Sequence, residues 1–453
     1  MKKFAAVFIT LLFAACFLFG CGGKPTGNGS QQNSQSPVSA DAIDANLKYF
    51  LGLTDAAGSA VTEYGDMGDR TPTSESERNA AQKLFAHFSD KEIYSDIEVT
   101  ELADTTFSVK SGTETRTSQN VEIRFSNPQK EGNSQVVIGT AYDNPYGKYD
   151  SVYGGEPSTG AFTATGVATV MSVIDWVNAN AETVRSQCDF DIVFVFFGCG
   201  SYNSMGATAY INDTMTDEQR KETLLMFNVD SLGGERTYLY ADEVKTEHES
   251  FLRKVANNEN LAFYSLPSNM PIIDGMYRNG VYYTHFAMLA DSTSFVEWDI
   301  PSARIFSGYY GGFNLSDLEK KGKANLCGTS RDTYFNLKNE REAFAKQGSD
   351  AAALILSAVR ADGFKEAATA SKSNARNFAG WTNPLWAYIA VLFLAVAFGI
   401  TLVILVKHFE KKYPFKPIVK KMKIAVFGMD YETQTDEDVF VDIKRPRGPF
   451  EGY

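Results

Sequence analysis

The sequence predicts an α/β fold, a sheet covered on both faces by helices, with one further helix near the C-terminus that spans a membrane. Three observations lead there. Apolar runs of strand length stand at Val136 to Ile138, Ile192 to Phe197, Leu224 to Val229 and Ile300 to Phe306, and continuous rather than alternating apolar runs belong to strands buried on both faces. Helix-like stretches such as Ala164 to Asn178 and Glu340 to Arg360 separate them, and strands alternating with helices pack as a sheet between helical layers. Finally, Leu385 to Val406 contains no charged residue and has about the 20 residues a helix needs to cross the hydrocarbon layer.

Taken in chain order, residues 1–20 read as a signal peptide, with Met1-Lys-Lys as its positive region and Phe4 to Gly20 as an apolar stretch too brief for a good span. Leu18-Phe-Gly-Cys21 resembles the lipobox of bacterial lipoproteins and assigns lipidation to Cys21. An ordinary signal peptide or an uncleaved anchor is the alternative. Residues 21–40 form a flexible tether rich in Gly, Ser, Gln and Asn. Residues 41–370 form the ectodomain, 371–384 a stalk, 385–406 the transmembrane helix and 407–453 a cytoplasmic tail. Trp381, Trp386 and Tyr388 would lie at the outer interface, and Lys407, Lys411, Lys412, Lys416, Lys420, Lys421 and Lys423 place the following side in the cytoplasm. The tail's acidic run Glu432 to Asp438 and its last residues read either as a docking peptide or as a disordered end.

A chain of 453 residues is long enough for one large core or two smaller ones. Its formal charge of -12, with the basic residues gathered beside the membrane segment, excludes nucleic acid as a partner.

A series of short segments carries the chemistry. Val136-Val-Ile-Gly-Thr-Ala-Tyr-Asp-Asn144 is an apolar strand running into a loop; Gly160-Ala-Phe-Thr-Ala-Thr-Gly166 opens a helix; Ile192 to Ser201 is a strand ending in Gly-Cys-Gly-Ser, followed by Met205-Gly206. Phe227-Asn-Val-Asp-Ser-Leu-Gly233 pairs with Gly328-Thr-Ser-Arg-Asp-Thr333, and Ala290-Asp-Ser-Thr-Ser-Phe295 lies between them with Ile300-Pro301. Upstream, Asp69-Arg-Thr-Pro-Thr-Ser-Glu-Ser-Glu begins a helix. In this order the segments resemble the motifs of the M28 zinc aminopeptidase family, from roughly Asp66 to Ala352.

That resemblance implies a three-layer αβα sandwich with a mixed central sheet. It also implies that the family's metal ligands are mostly replaced. Ala141 stands at the first His, with Asp143 retained; Phe162 or Thr163 falls at the bridging Asp. Gly200 and Ser201 replace the Glu-Glu pair of general base and ligand, Ser292 replaces a His, Asp230 is kept, and Gly328 stands at the final His. A catalytic zinc needs about three protein ligands and an open position, so the resemblance implies no catalytic residue, no metal and no cofactor here.

The sequence also offers groups for other chemistries. Asp143, Asp230 and Asp291 could hold a hard cation through oxygens, although pairing with backbone donors is the blander account. A Cys199/His285 dyad needs the histidine close by, and a Cys199–Cys327 disulfide would close the old site, with Cys188 left over; buried small hydrophobes are the alternative. Tyr142, Tyr146, Tyr149, Tyr153, Tyr309 and Tyr310 suit the binding of protein, peptide or glycan, with loop packing as the plainer explanation.

Two functions therefore compete. One is a catalytically inactive, membrane-anchored M28-like ectodomain that binds or scaffolds membrane or envelope proteins in a bacterial cell envelope, a layout similar to that of nicastrin and nicalin. The other is an active zinc-dependent aminopeptidase with a non-standard ligand set.

Overall fold

The computed structural model describes residues 36–55, 57–60, 67–111, 113–130, 132–144, 159–234, 236–241, 247–265, 276–278, 281–283, 290–308, 332–372 and 384–412. The strands are β1 Glu98–Val99, β2 Thr106–Ser111, β3 Glu114–Gln119, β4 Val121–Phe125, β5 Gln135–Ala141, β6 Asp191–Phe197, β7 Thr223–Val229, β8 Arg236–Tyr240, β9 Met276–Arg278, β10 Val281–Tyr283 and β11 Ser302–Gly308. Seven of them form one sheet in the order β1-β4-β6-β5-β7-β11-β8, and β2–β3 and β9–β10 are separate hairpins. β6, β5, β7 and β11 run parallel, while β4 is antiparallel to β6 and β8 antiparallel to β11, so the sheet is mixed as expected.

Alternation along these strands builds two cores. In β5, β6 and β7, Val136, Ile138, Ile192, Phe194, Phe196, Leu225, Phe227 and Val229 point into a large core, whereas Val137, Val193, Val195, Phe197 and Met226 point into a smaller one. Successive side chains of a strand face opposite sides, so a run of unbroken apolar residues is what a two-sided sheet requires. Truncating one of the central phenylalanines costs about 3–5 kcal/mol.

Helices cover both faces. The large core is closed by α1 Ala40–Phe50, α2 Glu75–Phe88, α3 Thr165–Ala179 and, later in the chain, the long helix Phe344–Arg360. The N-terminal helix starts where the Ser39 hydroxyl accepts from Ala42 N (3.1 Å), and it buries Ile43, Leu47 and Phe50, one stripe at helical spacing. α3 crosses the sheet closely, because Gly166 lies where a Cβ would stand 2.6 Å from Thr140 Oγ1 and 2.8 Å from the Val229 carbonyl. After α4 Ala181–Gln187, the smaller core is covered by α5 Met205–Ala209 with Ile211, and by α8 Asp291–Val296 with Ile300. Between these last two lie α6 Asp217–Glu222 and α7 Glu247–Asn258.

The helix expected at Glu340 to Arg360 is α10 Phe344–Arg360, preceded by a separate helix, α9 Tyr334–Glu340. Arg341 leaves the helical region (φ -139°) and caps α9 through its amide, which donates to Leu337 O at 2.8 Å. α11 spans 364–372.

Two compact units divide the chain, Met1–Asn374 and Ala375–Tyr453. In the second lies α12, Pro384–Lys412, whose side chains are described over 392–408 and expose Leu392, Phe393, Phe398 and Ile404. Among the described residues no helix is long and apolar enough to cross a membrane.

Candidate functional site

The four parallel strands end at one edge of the sheet, with Ala141 beside Phe197 and Val229 beside Ile305. The carboxyl edge of an open α/β sheet is where loops from different strands converge. After β6 the chain makes a tight turn in which Cys199 (φ 50°), Asn203 (φ 58°) and Ser204 (φ 52°) all adopt the left-handed region. Each costs about 1–2 kcal/mol in a residue with a Cβ. Hydrogen bonds hold the turn: Cys199 N donates to Glu77 Oε1 (2.7 Å), Tyr202 N to Cys199 O (3.1 Å) and Ser204 N to Gly200 O (2.9 Å). From below, Asn120 accepts from Gly198 N (3.1 Å) and donates to Gly206 O (3.0 Å).

Three aspartates reach this edge. Asp143, just past β5, is buried; its Oδ1 accepts from Gly200 N (2.8 Å), and its Oδ2 accepts from Ser201 N (3.0 Å) and from the Ser201 hydroxyl. Burial pushes its carboxyl upward, against the pull of the Ser201 and Gly200 donors. Asp230, past β7, accepts from Ser231 N at Oδ1 (2.8 Å), and its Oδ2 pairs with Arg304 Nε (2.9 Å) and Nη2. Asp291 opens α8 and is 5% exposed, and its Oδ1 has no hydrogen-bond partner. Burial, then the charges of Asp230 and Asp143, hold its carboxyl well above the usual range, while Arg304 and Ser204 act the other way.

Gly200 closes the space between them. A methyl group on it would collide with Ala141 Cβ and would stand 3.1 Å from Asp143 Oδ1 and 3.4 Å from Asp291 Oδ1. Gly200 has no room for a side chain without moving its neighbours. Among the described residues, no group of three or more His, Cys, Asp or Glu could hold a metal ion.

Two further buried charges frame the site. Glu77, projecting from α2, accepts from Thr73 N (2.6 Å), Ser118 Oγ (3.0 Å) and Cys199 N; burial, then the Asp143 charge, raise it to about 7. Arg70 is fully buried and donates to three backbone carbonyls, Tyr142 (2.9 Å), Thr159 (2.6 Å) and Gly160 (2.9 Å). Burial lowers it to about 10, with the Asp332, Asp143 and Asp69 charges opposing. Asp332 Oδ1 in turn accepts from Phe162 N (2.6 Å), and burial lifts its carboxyl to about 7.

Residues 127–355 match peptidase family M28. The chain belongs to that family. No curated protein matches it. Among solved structures it is similar to BSAP, a zinc aminopeptidase from Bacillus subtilis (13% identity, TM-score 0.49, covering 73% of this chain and 97% of that one). It is also similar to a leucine aminopeptidase precursor from Bacteroides thetaiotaomicron VPI-5482 (13%, 0.48, 72% and 98%) and to Acidobacteriales bacterium glutaminyl cyclase (14%, 0.48, 75% and 98%).

In this M28 chain, Ala141, Asp143, Gly200, Ser201, Asp230 and Asp291 gather at one edge of the sheet. Phe162 and Thr163 contribute no group there: the Phe162 ring packs on the large core, and the Thr163 hydroxyl donates to Gly160 O (2.8 Å). Tyr142 differs from its expected role as a binding surface. It is fully buried, and its hydroxyl donates to Gln119 O at 2.6 Å, because it lies on the strand's inward side rather than on the loop beyond. Cys199 is a free, buried thiol packed on Phe107 and Val109, pushed upward by burial and by Glu77 and Asp143, which unfits it as a nucleophile. Cys188 is likewise free and buried. Cys21, Tyr146, Tyr149, Tyr153, His285, Tyr309, Tyr310, Cys327 and Gly328 lie outside the described residues.

Motif reading missed Arg304, Glu77 and Arg70 as members of the site. Arg304 was detectable as a charge in the middle of the apolar run Ile300 to Phe306, since a buried charge must have a partner. Glu77 sits three residues after the N-cap Ser74, where surface capping accounts for it locally.

Proposed function

We propose that this M28 chain is a catalytically inactive, membrane-anchored ectodomain that binds or scaffolds other envelope proteins. The closure of the edge at Gly200 and Ala141 is the observation that carries it: the family's two adjacent glutamates are replaced by Gly200 and Ser201, whose amides occupy Asp143. The carboxylate kept at Asp230 is paired with Arg304. The described donors do not fit a zinc centre, which needs about three free ligands and an open position. No general base is offered for a metal-bound water either. The unpartnered oxygen of Asp291 is what favours the rival reading, an active zinc aminopeptidase with an unusual ligand set.

The anchor is supported by the uncharged stretch Leu385 to Val406, the lysines that follow it, and the exposure of apolar side chains on α12. A helix apolar on every side belongs in a lipid or protein interior. Lipidation at Cys21 would add a second attachment in the envelope. Parallels with nicastrin and nicalin are of layout alone.

The test is zinc content and turnover. Full-length protein dialysed against zinc is expected to retain less than stoichiometric metal and to release no amine from aminoacyl substrates. Chelator-sensitive turnover with one or more bound zinc ions per chain would overturn the proposal. Crosslinking in native membranes is expected to recover a defined protein partner.

A further inference from the structure

We propose that the Arg304 guanidinium is the resident counter-cation of this edge, a permanent positive charge built into β11 where the fold's carboxylates converge. The inference rests on the non-catalytic reading above and deepens it. Arg304 lies in a strand whose neighbouring residues Ala303 and Ile305 are fully buried, and it is itself 3% exposed. Its Nε stands 2.9 Å from Asp230 Oδ2, and Nη2 contacts the same oxygen. The guanidinium also covers the Phe306 ring at 5.0 Å from the centroid.

Two more carboxylates reach the space beside Gly200. Asp143 Oδ1 and Asp291 Oδ1 lie within 3.1 and 3.4 Å of the same point above Gly200, and the Asp291 oxygen has no hydrogen-bond partner at 5% exposure. Carboxylates converging in a buried corner need a cation or a proton. A hard divalent cation with oxygen ligands answers that need in one way. Arginine answers it in another, with the difference that its charge cannot be removed by chelation or by raising the pH. Burial and the Asp230 and Asp143 charges hold the Asp291 carboxyl well above its ordinary value, and the Arg304 charge opposes them.

The charge role and a packing role part ways in three variants of the full-length chain, read as thermal midpoints with and without millimolar calcium or manganese. Wild-type protein is expected to show no cation response. R304K, which keeps the charge and loses the fork, should retain most of the midpoint and stay insensitive. R304Q should fall by about 5 °C and regain part of that loss with either cation, while D230N/R304Q should regain it without any.

An R304Q protein whose midpoint ignores both cations overturns the proposal. Should R304Q not fold, the double variant decides, because removing both charges must restore folding if charge balance is what Arg304 supplies; a double variant that stays unfolded overturns it as well. Stoichiometric zinc binding by the wild-type chain would instead overturn the non-catalytic reading, so the two failures are distinct.

Discussion

Arg70 and Arg304 are both buried at the carboxyl edge of the sheet, yet one is surrounded by backbone carbonyls and the other faces a carboxylate. Arg70 joins the end of β5 to the turn before α3 through Tyr142, Thr159 and Gly160. It holds the framework, and neutral acceptors suffice for that. Arg304 faces Asp230, whose side chain is one third exposed, and so balances charge beside water. The contrast separates two tasks at this edge of the M28 chain: positioning loops, which falls to Arg70, and balancing a carboxylate, which falls to Arg304.

The largest effect expected from this contrast is at Arg70. R70M would take a donor from three backbone carbonyls and remove a charge near Asp332, for a loss of about 4 kcal/mol or more, read by urea unfolding of the full-length chain. R304M should cost less, about 2–3 kcal/mol, since Asp230 can turn to water. If R304M proves the costlier, the division between framework and charge fails.

Gly200 sharpens the comparison from the side of shape. G200A forces a methyl against Ala141 and should cost about 1–3 kcal/mol. Pairing it with A141G should recover much of the loss, and a double-mutant cycle showing simple additivity would mean the two positions do not meet as described.

A pH-dependent effect of comparable size lies away from the edge, at His248. Its Nε2 faces the Ser302 carbonyl (3.0 Å) and its Nδ1 the Ser371 hydroxyl (2.9 Å), and burial lowers it to about 4, against the Ser302 carbonyl's pull. With 6.5 for the unfolded chain, the folded state binds fewer protons between pH 4 and 6.5. Stability from this group is therefore complete above about pH 6.5 and falls as the pH drops toward 4, by up to about 3 kcal/mol. Glu77 and Asp332, both raised to about 7, work in the opposite direction, losing stability as pH rises from about 4 to 7. The difference between wild type and H248Q isolates the histidine: the wild type should lose its advantage on acidification, and parallel curves would remove His248 from the account.

The apolar runs marked β5, β6, β7 and β11 well, because strands buried on both faces leave an unbroken hydrophobic trace. Gln135 and Thr140 extend β5 beyond that trace; Gln135 Nε2 donates to Thr223 Oγ1 across the sheet (3.0 Å), a pairing no local pattern announces. β4 and β8 were missed for a similar reason: Glu122, Arg124, Arg236 and Thr237 break the apolar signal, and their partners lie on other elements. Within the site, Ala141, Asp143, Gly200 and Asp230 were legible from motif order alone. Tyr142 was misjudged because a loop-like aromatic cluster begins with the last inward-facing ring of a strand.

Sequence by itself determined the family, the two-sided sheet and the small side chains at positions 141, 200 and 201, since each depends on residue type at a place in a linear order. Tertiary structure decided what those positions meet: the approach of Gly200 to Ala141, the amides on Asp143, the guanidinium beside Asp230 and the solitary oxygen of Asp291. Those contacts join residues far apart in the chain, and electrostatic balance in a buried corner depends on distances that only the packed sheet sets.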